Sequence, residues 1–204
     1  MISLWPWARA KQREENPQRS EAASASASGY DLPSTPIRWI ENTHIALRPF
    51  VFENDANTIC GFQEETYLLN FPGFRYTPAF ANAFRYDLRR ASFSPDHGIF
   101  VLDNAAESQT KKLPSIAGFL WLVISQNNWS GERSGYINNL YVAPSYRNQG
   151  MGRELLRQSD DFFRSREILN IRLTVTQSNA QAIALYRRNG FDVTRWEMEK
   201  KLDR

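Results

Sequence analysis

The sequence predicts an α/β fold, and a few local patterns carry that prediction. The strand-like run Tyr136-Ile137-Asn138-Asn139-Leu140-Tyr141-Val142 leads into Arg147-Asn148-Gln149-Gly150-Met151-Gly152, and a helical pattern opens near Gly150. A second strand-like run, Leu173-Thr174-Val175, leads into a helical stretch that closes at Asn189-Gly190. Upstream of both, strand and helix patterns alternate from residue 45 onward without any internal repeat.

Taken in order, Ile45 to Arg48 reads as a strand, and Asp55 to Glu65 is helical in composition. Residues 62 to 86 are crowded with aromatics, among them Phe62, Tyr67, Phe71, Phe74, Tyr76, Phe80 and Phe84, and Pro72-Gly73 marks a turn within them. Ala79 to Arg90 reads as a second helix. Gly98 to Leu102 and Ile116 to Ile124 read as strands, with a polar loop at 103–115 between them. Asn127 to Ser134 is a turn, so the strands on either side of it form a hairpin. After Gly150, Met151, Leu155, Phe162 and Phe163 recur at helical spacing. Ser178 with Gln181 fits a capping box for the next helix, and Gly190 fits the position just past its end. Phe191 to Met198 reads as a closing strand with Phe191 and Val193 on one side.

Residues 1–36 differ from the rest. Ala22-Ala23-Ser24-Ala25-Ser26-Ala27-Ser28-Gly29 is of low complexity, and Pro17, Pro33 and Pro36 interrupt any helix. This composition reads as a loosely attached extension, with the folded domain at 37–204. Met1-Ile2-Ser3-Leu4-Trp5-Pro6-Trp7 is too short and too interrupted for a signal peptide, so a cytoplasmic location is the expectation. No apolar run is long enough for a membrane span. The single cysteine, Cys60, excludes an internal disulfide, and His44 and His97 are far apart, so no metal site is expected. A net charge of +3 without blocks of like charge gives no reason to expect nucleic acid as a partner.

The turn at 147–152 has the chemistry of an anion site. Glycine lets backbone approach a ligand closely and takes up positive φ. The free N–H groups of a helix start point at the ligand, and the helix dipole favours negative charge there. Alone, Arg-x-x-Gly-x-Gly arises by chance in about one chain of this length in twenty. The downstream run Asn179-Ala180-Gln181-Ala182-Ile183-Ala184-Leu185-Tyr186-Arg187-Arg188-Asn189-Gly190-Phe191 makes it specific.

Together these segments resemble the GNAT family of N-acetyltransferases. Arg147 to Gly152 match the family's pyrophosphate loop. Asn179, Ala182, Leu185, Tyr186, Gly190 and Phe191 match its last helix, and Ile45-Ala46-Leu47-Arg48-Pro49 looks like its first strand. The resemblance spans roughly residues 38 to 204. It implies a mixed, mostly antiparallel central sheet flanked by helices, with two strands splayed apart at the cofactor site. It implies acetyl-CoA as the cofactor and an amine-bearing small molecule or peptide as the partner; a homodimer is compatible with it.

Carried over residue by residue, the backbone of Leu140, Tyr141 and Val142 would line the pantetheine. Arg147, Asn148, Gln149, Gly150, Met151 and Gly152, with Arg153 beside them, would hold the pyrophosphate. Asn179 would hydrogen-bond the cofactor, and Tyr186 would be the general acid. Phe71, Phe74 and Tyr76 fall in the region that shapes the acceptor pocket, and Asn138 and Thr174 are candidates for contact with the substrate. The resemblance breaks at the general base. Asn138 and Asn139 stand where many members carry a carboxylate. Thr174 stands where ribosomal-protein N-terminal acetyltransferases carry Glu, which argues against that acceptor. Glu132 and His97 are the remaining candidate bases. The alternative reading is a CoA-binding or partner-binding module that has lost catalysis.

Overall fold

In the computed structural model, the residues described are 37–204, without 72, 112–114, 128–129, 199, 201 and 203–204. The reading of 1–36 as an extension lies outside them. Among the described residues the sheet has six strands in sequence order: β1 (Arg38–Trp39), β2 (Ile45–Pro49), β3 (His97–Asn104), β4 (Ile116–Gln126), β5 (Arg133–Val142) and β6 (Ile171–Arg172). All neighbours pair antiparallel except β5 and β6, which are parallel. The expected mixed, mostly antiparallel sheet is present.

Helices α1 (Phe52–Asn70) and α2 (Pro78–Ala91) link β2 to β3, and α4 (Met151–Arg164) and α5 (Ala180–Arg188) follow β5 and β6. Alternation along the strands feeds two cores. Val101, Phe119, Trp121 and Tyr141 face one way and pack with Ile59, Phe84 and Leu88 of α1 and α2. Leu102, Leu120, Leu122 and Ile137 face the other way and pack with Met151, Leu155, Phe162 and Phe163 of α4. The helical spacing of Met151, Leu155, Phe162 and Phe163 thus marks a buried face. Close packing of α4 requires glycine in the sheet: a Cβ at Gly135 would lie 2.6 Å from the Phe163 ring.

The first strand is tied to α1 by a charge cluster. Arg48 donates from Nη1 to Asp55 Oδ2 (2.7 Å) and from Nε to Asp103 Oδ2 (2.7 Å), and Asp55 is wholly buried. Asp55 also accepts from the Val51 N–H (2.8 Å), at the start of α1. Buried charges are tolerated when they are paired and hydrogen-bonded in this way.

Several elements depart from expectation. The polar loop at 103–115 contains a short helix, α3 (Ala105–Lys111), and β1 adds an edge strand. Asn179 rather than Ser178 caps α5, its side chain accepting from the Ala182 N–H (3.1 Å). Only Ile171 and Arg172 pair in β6, so Leu173 to Val175 runs outside the ladder. Residues 191–198 form no strand, and Val193, Trp196 and Met198 are exposed. A strand needs a hydrogen-bonded partner; the run beyond Arg172, which would have offered an edge, has itself left the sheet.

Replacing Arg48 with Met should remove the cation paired with Asp55 and leave a buried carboxylate without that partner. Such a loss costs about 3–5 kcal/mol. Urea unfolding of parent and variant measures it, and a change well under ~1 kcal/mol would show that the cluster does not hold β2 to α1.

Candidate active site

The site is built where β5 and β6 part. Gly135 pairs with Ile171 and Tyr136 with Arg172, and there the pairing ends. One residue further along β5 the register with β4 shifts. Trp121 pairs with Asn139 and Leu122 with Ile137, so Asn138 is the extra residue of a β-bulge. A bulge bends its strand and increases local twist, which carries the rest of β5 away from the chain beyond Arg172.

The register also decides which backbone groups face the gap. The Ala143 N–H donates to Ala117 of β4 (2.8 Å). Backbone groups alternate along an antiparallel strand, so those of Val142 and Leu140 point away from β4, into the gap, while those of Tyr141 point to β4. Of the residues expected to offer backbone there, Leu140 and Val142 face the gap. Tyr141 instead directs its ring to α1, stacking on Phe62 at 4.4 Å.

At the end of β5 a single 3-10 turn, Pro144–Tyr146, precedes the loop. Tyr146 Oη donates to Glu107 Oε1 of α3 (3.2 Å) and accepts from Asn104 Nδ2 (3.0 Å), which anchors the turn to β3 and α3. The loop then turns through Asn148 (φ +61°) and Gly150 (φ +83°). Gly150 O accepts from the Arg153 and Glu154 N–H groups (3.0 and 3.1 Å). The N–H groups of Asn148, Gln149, Gly150, Met151 and Gly152 make no hydrogen bond of good geometry among the described residues. They leave a ring of donors at the positive end of a helix, which suits a phosphate. A Cβ at Gly150 would meet nothing nearer than Arg153 Nη2 at 4.0 Å, so glycine is needed there for its positive φ, not for space.

Arg147 folds back from the loop. Its Nε donates to Val142 O (2.8 Å), a carbonyl that faces the gap, and its guanidinium lies 5.7 Å from the centre of the Tyr141 ring. Arg147 Nη2 is 4.0 Å from Glu65 Oε1, and Tyr141 Oη donates to Glu65 Oε2 (2.5 Å). Burial and then this bond to Glu65 push the Tyr141 phenol well above its ordinary range. Glu65 was not legible as a site residue, because its helix carries no motif.

The two sequence motifs meet in space. A Cβ at Gly152 would lie 2.8 Å from Leu185 Cδ2, so the second loop glycine is where α4 and α5 touch. Gln181 Nε2 donates to Asn148 Oδ1 (3.2 Å) across the same junction. Asn179, besides capping α5, donates from Nδ2 to Asn70 Oδ1 at the end of α1 (3.5 Å). The far end of α5 is a Schellman motif: Gly190 N–H donates to Arg187 O (3.2 Å) and Phe191 N–H to Tyr186 O (3.1 Å), with Gly190 at φ +84°. Its apolar contact is Tyr186 against Phe191, with ring centres 5.8 Å apart. The expected helix-ending role of Gly190 is therefore met, and it fixes the Tyr186 ring. Burial, with the Tyr136 phenol nearby, pushes the Tyr186 phenol up to about 12. Tyr136 Oη in turn donates to Thr174 Oγ1 (2.9 Å), across the mouth of the gap.

The remaining candidates divide. Phe71 and Phe74 pack on Tyr67 at 5.2 and 4.9 Å, and Tyr76 packs on Phe80 at 5.3 Å, forming one aromatic cluster beyond the end of α1. His97 Nδ1 accepts from Trp121 Nε1 (2.9 Å), burial lowers its pKa, and β4 stands between its strand and β5. Glu132 is exposed in the β4–β5 turn, ~20 Å along the strand from Asn138 at ~3.3 Å per residue. Neither stands ready as a base at the bulge. No group of His, Cys, Asp and Glu that could hold a metal occurs among the described residues, and none of their helices is long and apolar enough to cross a membrane.

The model of the Acetyltransferase (GNAT) family matches residues 63–191. Over 76 residues the chain is 41% identical to streptothricin acetyltransferase of Streptomyces lavendulae, covering 37% of this chain and 38% of that protein. Over 54 residues it is 44% identical to the [ribosomal protein bS18]-alanine N-acetyltransferase of Escherichia coli K12, covering 26% and 36%. The chain thus spans well under half the length of these curated relatives. A structure described as a predicted acetyltransferase with acetyl-CoA, from Clostridium acetobutylicum, superposes with a TM-score of 0.60 at 15% identity, over 77% of this chain and 96% of that one.

The raised Tyr186 pKa has a consequence for stability. Its value is about 12 when folded and ~10 when unfolded. The stabilisation it brings is fully present below pH ~10 and is lost as pH rises toward the folded value. Urea unfolding at pH ~9 and ~11 should show a smaller alkaline loss of stability for Tyr186→Phe than for the parent. Equal losses would show that this phenol is not desolvated.

Proposed function

This chain belongs to the acetyltransferase (GNAT) family, and we propose that it moves an acetyl group from acetyl-CoA to a primary amine, by direct attack in a ternary complex. The observation that carries this reading is the gap beside β5, with helix-start N–H donors at one end and the Schellman-held Tyr186 near Tyr136 of β5. The relatives named for streptothricin and for an alanine of ribosomal protein bS18 keep both small-molecule and protein acceptors in view.

The residues present fit the cofactor. The donors of Asn148 to Gly152, with Arg147 and Arg153, would hold a pyrophosphate. Leu140 and Val142 would pair with the pantetheine arm through backbone, once Arg147 releases Val142 O. Asn179 would bond the arm from α5. Bound acetyl-CoA supplies an acetyl group already activated as a thioester. The chain must then orient the amine, exclude water and keep a proton ready for the leaving sulfur. Tyr186 Oη holds that proton, since a phenol with a pKa near 12 stays protonated throughout the working range. Asn138 and Thr174 would face the acceptor, and Phe71, Phe74 and Tyr76 would shape its outer wall. Coenzyme A release, measured with a panel of small amines, antibiotics and N-terminal peptides, tests the reading. Tight acetyl-CoA binding without release toward any amine would favour a binding module instead.

Gly150→Val should lower acetyl-CoA affinity at least tenfold, about 1.4 kcal/mol, because a β-branched residue resists positive φ. Calorimetry giving equal affinities would remove the loop from the cofactor site. Tyr186→Phe keeps the Phe191 contact and removes the proton, so turnover should fall roughly 10²-fold with cofactor affinity nearly unchanged; full turnover would exclude Tyr186 as the acid.

The missing carboxylate predicts a pH profile. An amine attacks only as the free base, and a lysine-like amine with pKa ~10.4 is nearly all protonated at pH 7. With amides at 138 and 139 and a hydroxyl at 174, kcat/KM should climb from pH ~7 to ~9 with the neutral fraction of the amine. α-Amino groups, with pKa ~8, should be favoured at neutral pH. A common plateau from pH ~6.5 for two amines of different pKa would show that an enzyme group sets the profile.

A further inference from the structure

The bulge carries a chain of side-chain amides that ends in unpaired atoms. Gln63 lies on the apolar face of α1 between Ile59 and Tyr67, and it is wholly buried. Its Oε1 accepts from Asn139 Nδ2 (2.8 Å), and Asn139 Oδ1 accepts from Asn138 Nδ2 (3.2 Å). At one end Gln63 Nε2 is buried without a partner among the described residues, and at the other end so is Asn138 Oδ1. Buried polar atoms of this kind each cost about 1–3 kcal/mol when left unsatisfied. Such groups ask for a missing partner.

Two of these amides are adjacent in sequence yet bond to each other on the α1 side of the strand. The bulge makes that possible, because the extra residue breaks the alternation that would send neighbours to opposite faces. The chain also has a direction. Each amide donates its NH2 to the carbonyl of the next, and reversing one forces the others to reverse. In the observed direction the free group at the bulge is a buried carbonyl. In the reverse direction it would be an NH2, which opposes an N–H.

We propose that Asn138 Oδ1 receives an N–H of the incoming amine, and that Gln63 and Asn139 are positioning residues that hold this carbonyl toward it. The proposal rests on the acetyl-transfer reading of the gap. It also gives the missing carboxylate a physical meaning. A carboxylate would stabilise the ammonium form of the substrate and raise its pKa. A neutral carbonyl accepts the same N–H without that charge, so the nucleophilic free base is less penalised. The substrate class is therefore a primary amine that reaches the site neutral, with the proton lost to solvent.

The test uses the full chain, acetyl-CoA and a short peptide with a free α-amino group. Asn138→Ala should raise KM for the peptide roughly fivefold to tenfold, the loss of one hydrogen bond, with acetyl-CoA affinity unchanged. Gln63→Leu should raise it similarly, and Gln63→Glu, which keeps an oxygen for Asn139, should restore it. Adding Gln63→Leu to Asn138→Ala should change KM no further, because Gln63 acts only through Asn138. An unchanged KM in Asn138→Ala overturns the proposal. So does an equal effect of Gln63→Leu in both backgrounds, which would mark Gln63 as a packing residue. Should the parent bind acetyl-CoA but acetylate nothing, the acetyl-transfer reading fails on its own. The side-chain amide NMR signals then decide the docking point: peptide addition should shift Asn138, Asn139 and Gln63 together in the parent, and no shift overturns it.

Discussion

The separation of β5 from β6 is the constraint on which the rest of the site depends. A parallel pair that stayed zipped would bury the backbone of Leu140 and Val142 in the ladder and leave no edge for a ligand. Here pairing stops at Tyr136 and Arg172, and the bulge at Asn138 turns the remainder of β5 aside. The bulge does more than open the gap. It brings the Asn138 and Asn139 amides together, and it sets the alternation that points Val142 O toward Arg147.

Two frames hold the opened strand in place. On one side α4 packs its buried face on the sheet, with Phe163 over Gly135 and Gly152 against Leu185 of α5. The loop between β5 and α4 is thereby fixed at both ends and tied to α5 through Asn148 and Gln181. On the other side α1 is locked to β2 and β3 by Arg48, Asp55 and Asp103. That lock sets where Gln63 and Glu65 reach β5. A shift of α1 would move both contacts at once, so the acceptor side and the Tyr141 anchor respond to the same element.

Electrostatically the gap is uneven. Its loop end gathers helix-start N–H groups and Arg147, whose guanidinium lies 4.0 Å from Glu65, a carboxylate held by Tyr141. Near the bulge end stand the Asn138 and Asn139 amides and the Tyr136–Thr174 hydroxyl pair. The loop-end donors suit an anion, and among the described residues the bulge amides bond to each other and to Gln63, not to a carboxylate. Under the proposed reading, the loop end would hold the phosphate and the bulge end would meet the nucleophile, along a single strand edge.

Much of this was legible in the sequence because it is local. The positive φ of Gly150, the Gly190 cap and the buried spacing of α4 each depend on a few adjacent residues. The order of loop and last helix identified the family, and their contact through Gly152 and Leu185 gives that order a packing reason. Other features were illegible because they join distant residues. Gln63 on an apolar helix face was a visible anomaly, but its partner Asn139 lies far away in sequence and only the β4–β5 register brings them together. Phe191 to Met198 has strand-like alternation and no neighbour, since periodicity cannot supply the hydrogen-bonded partner that a strand requires. Sequence alone determined the glycine turns at Gly150 and Gly190 and the buried spacing of α4. Tertiary structure decided which backbone edge is free and which amides meet, because both depend on pairing register, a long-range quantity that one extra residue at a bulge can change.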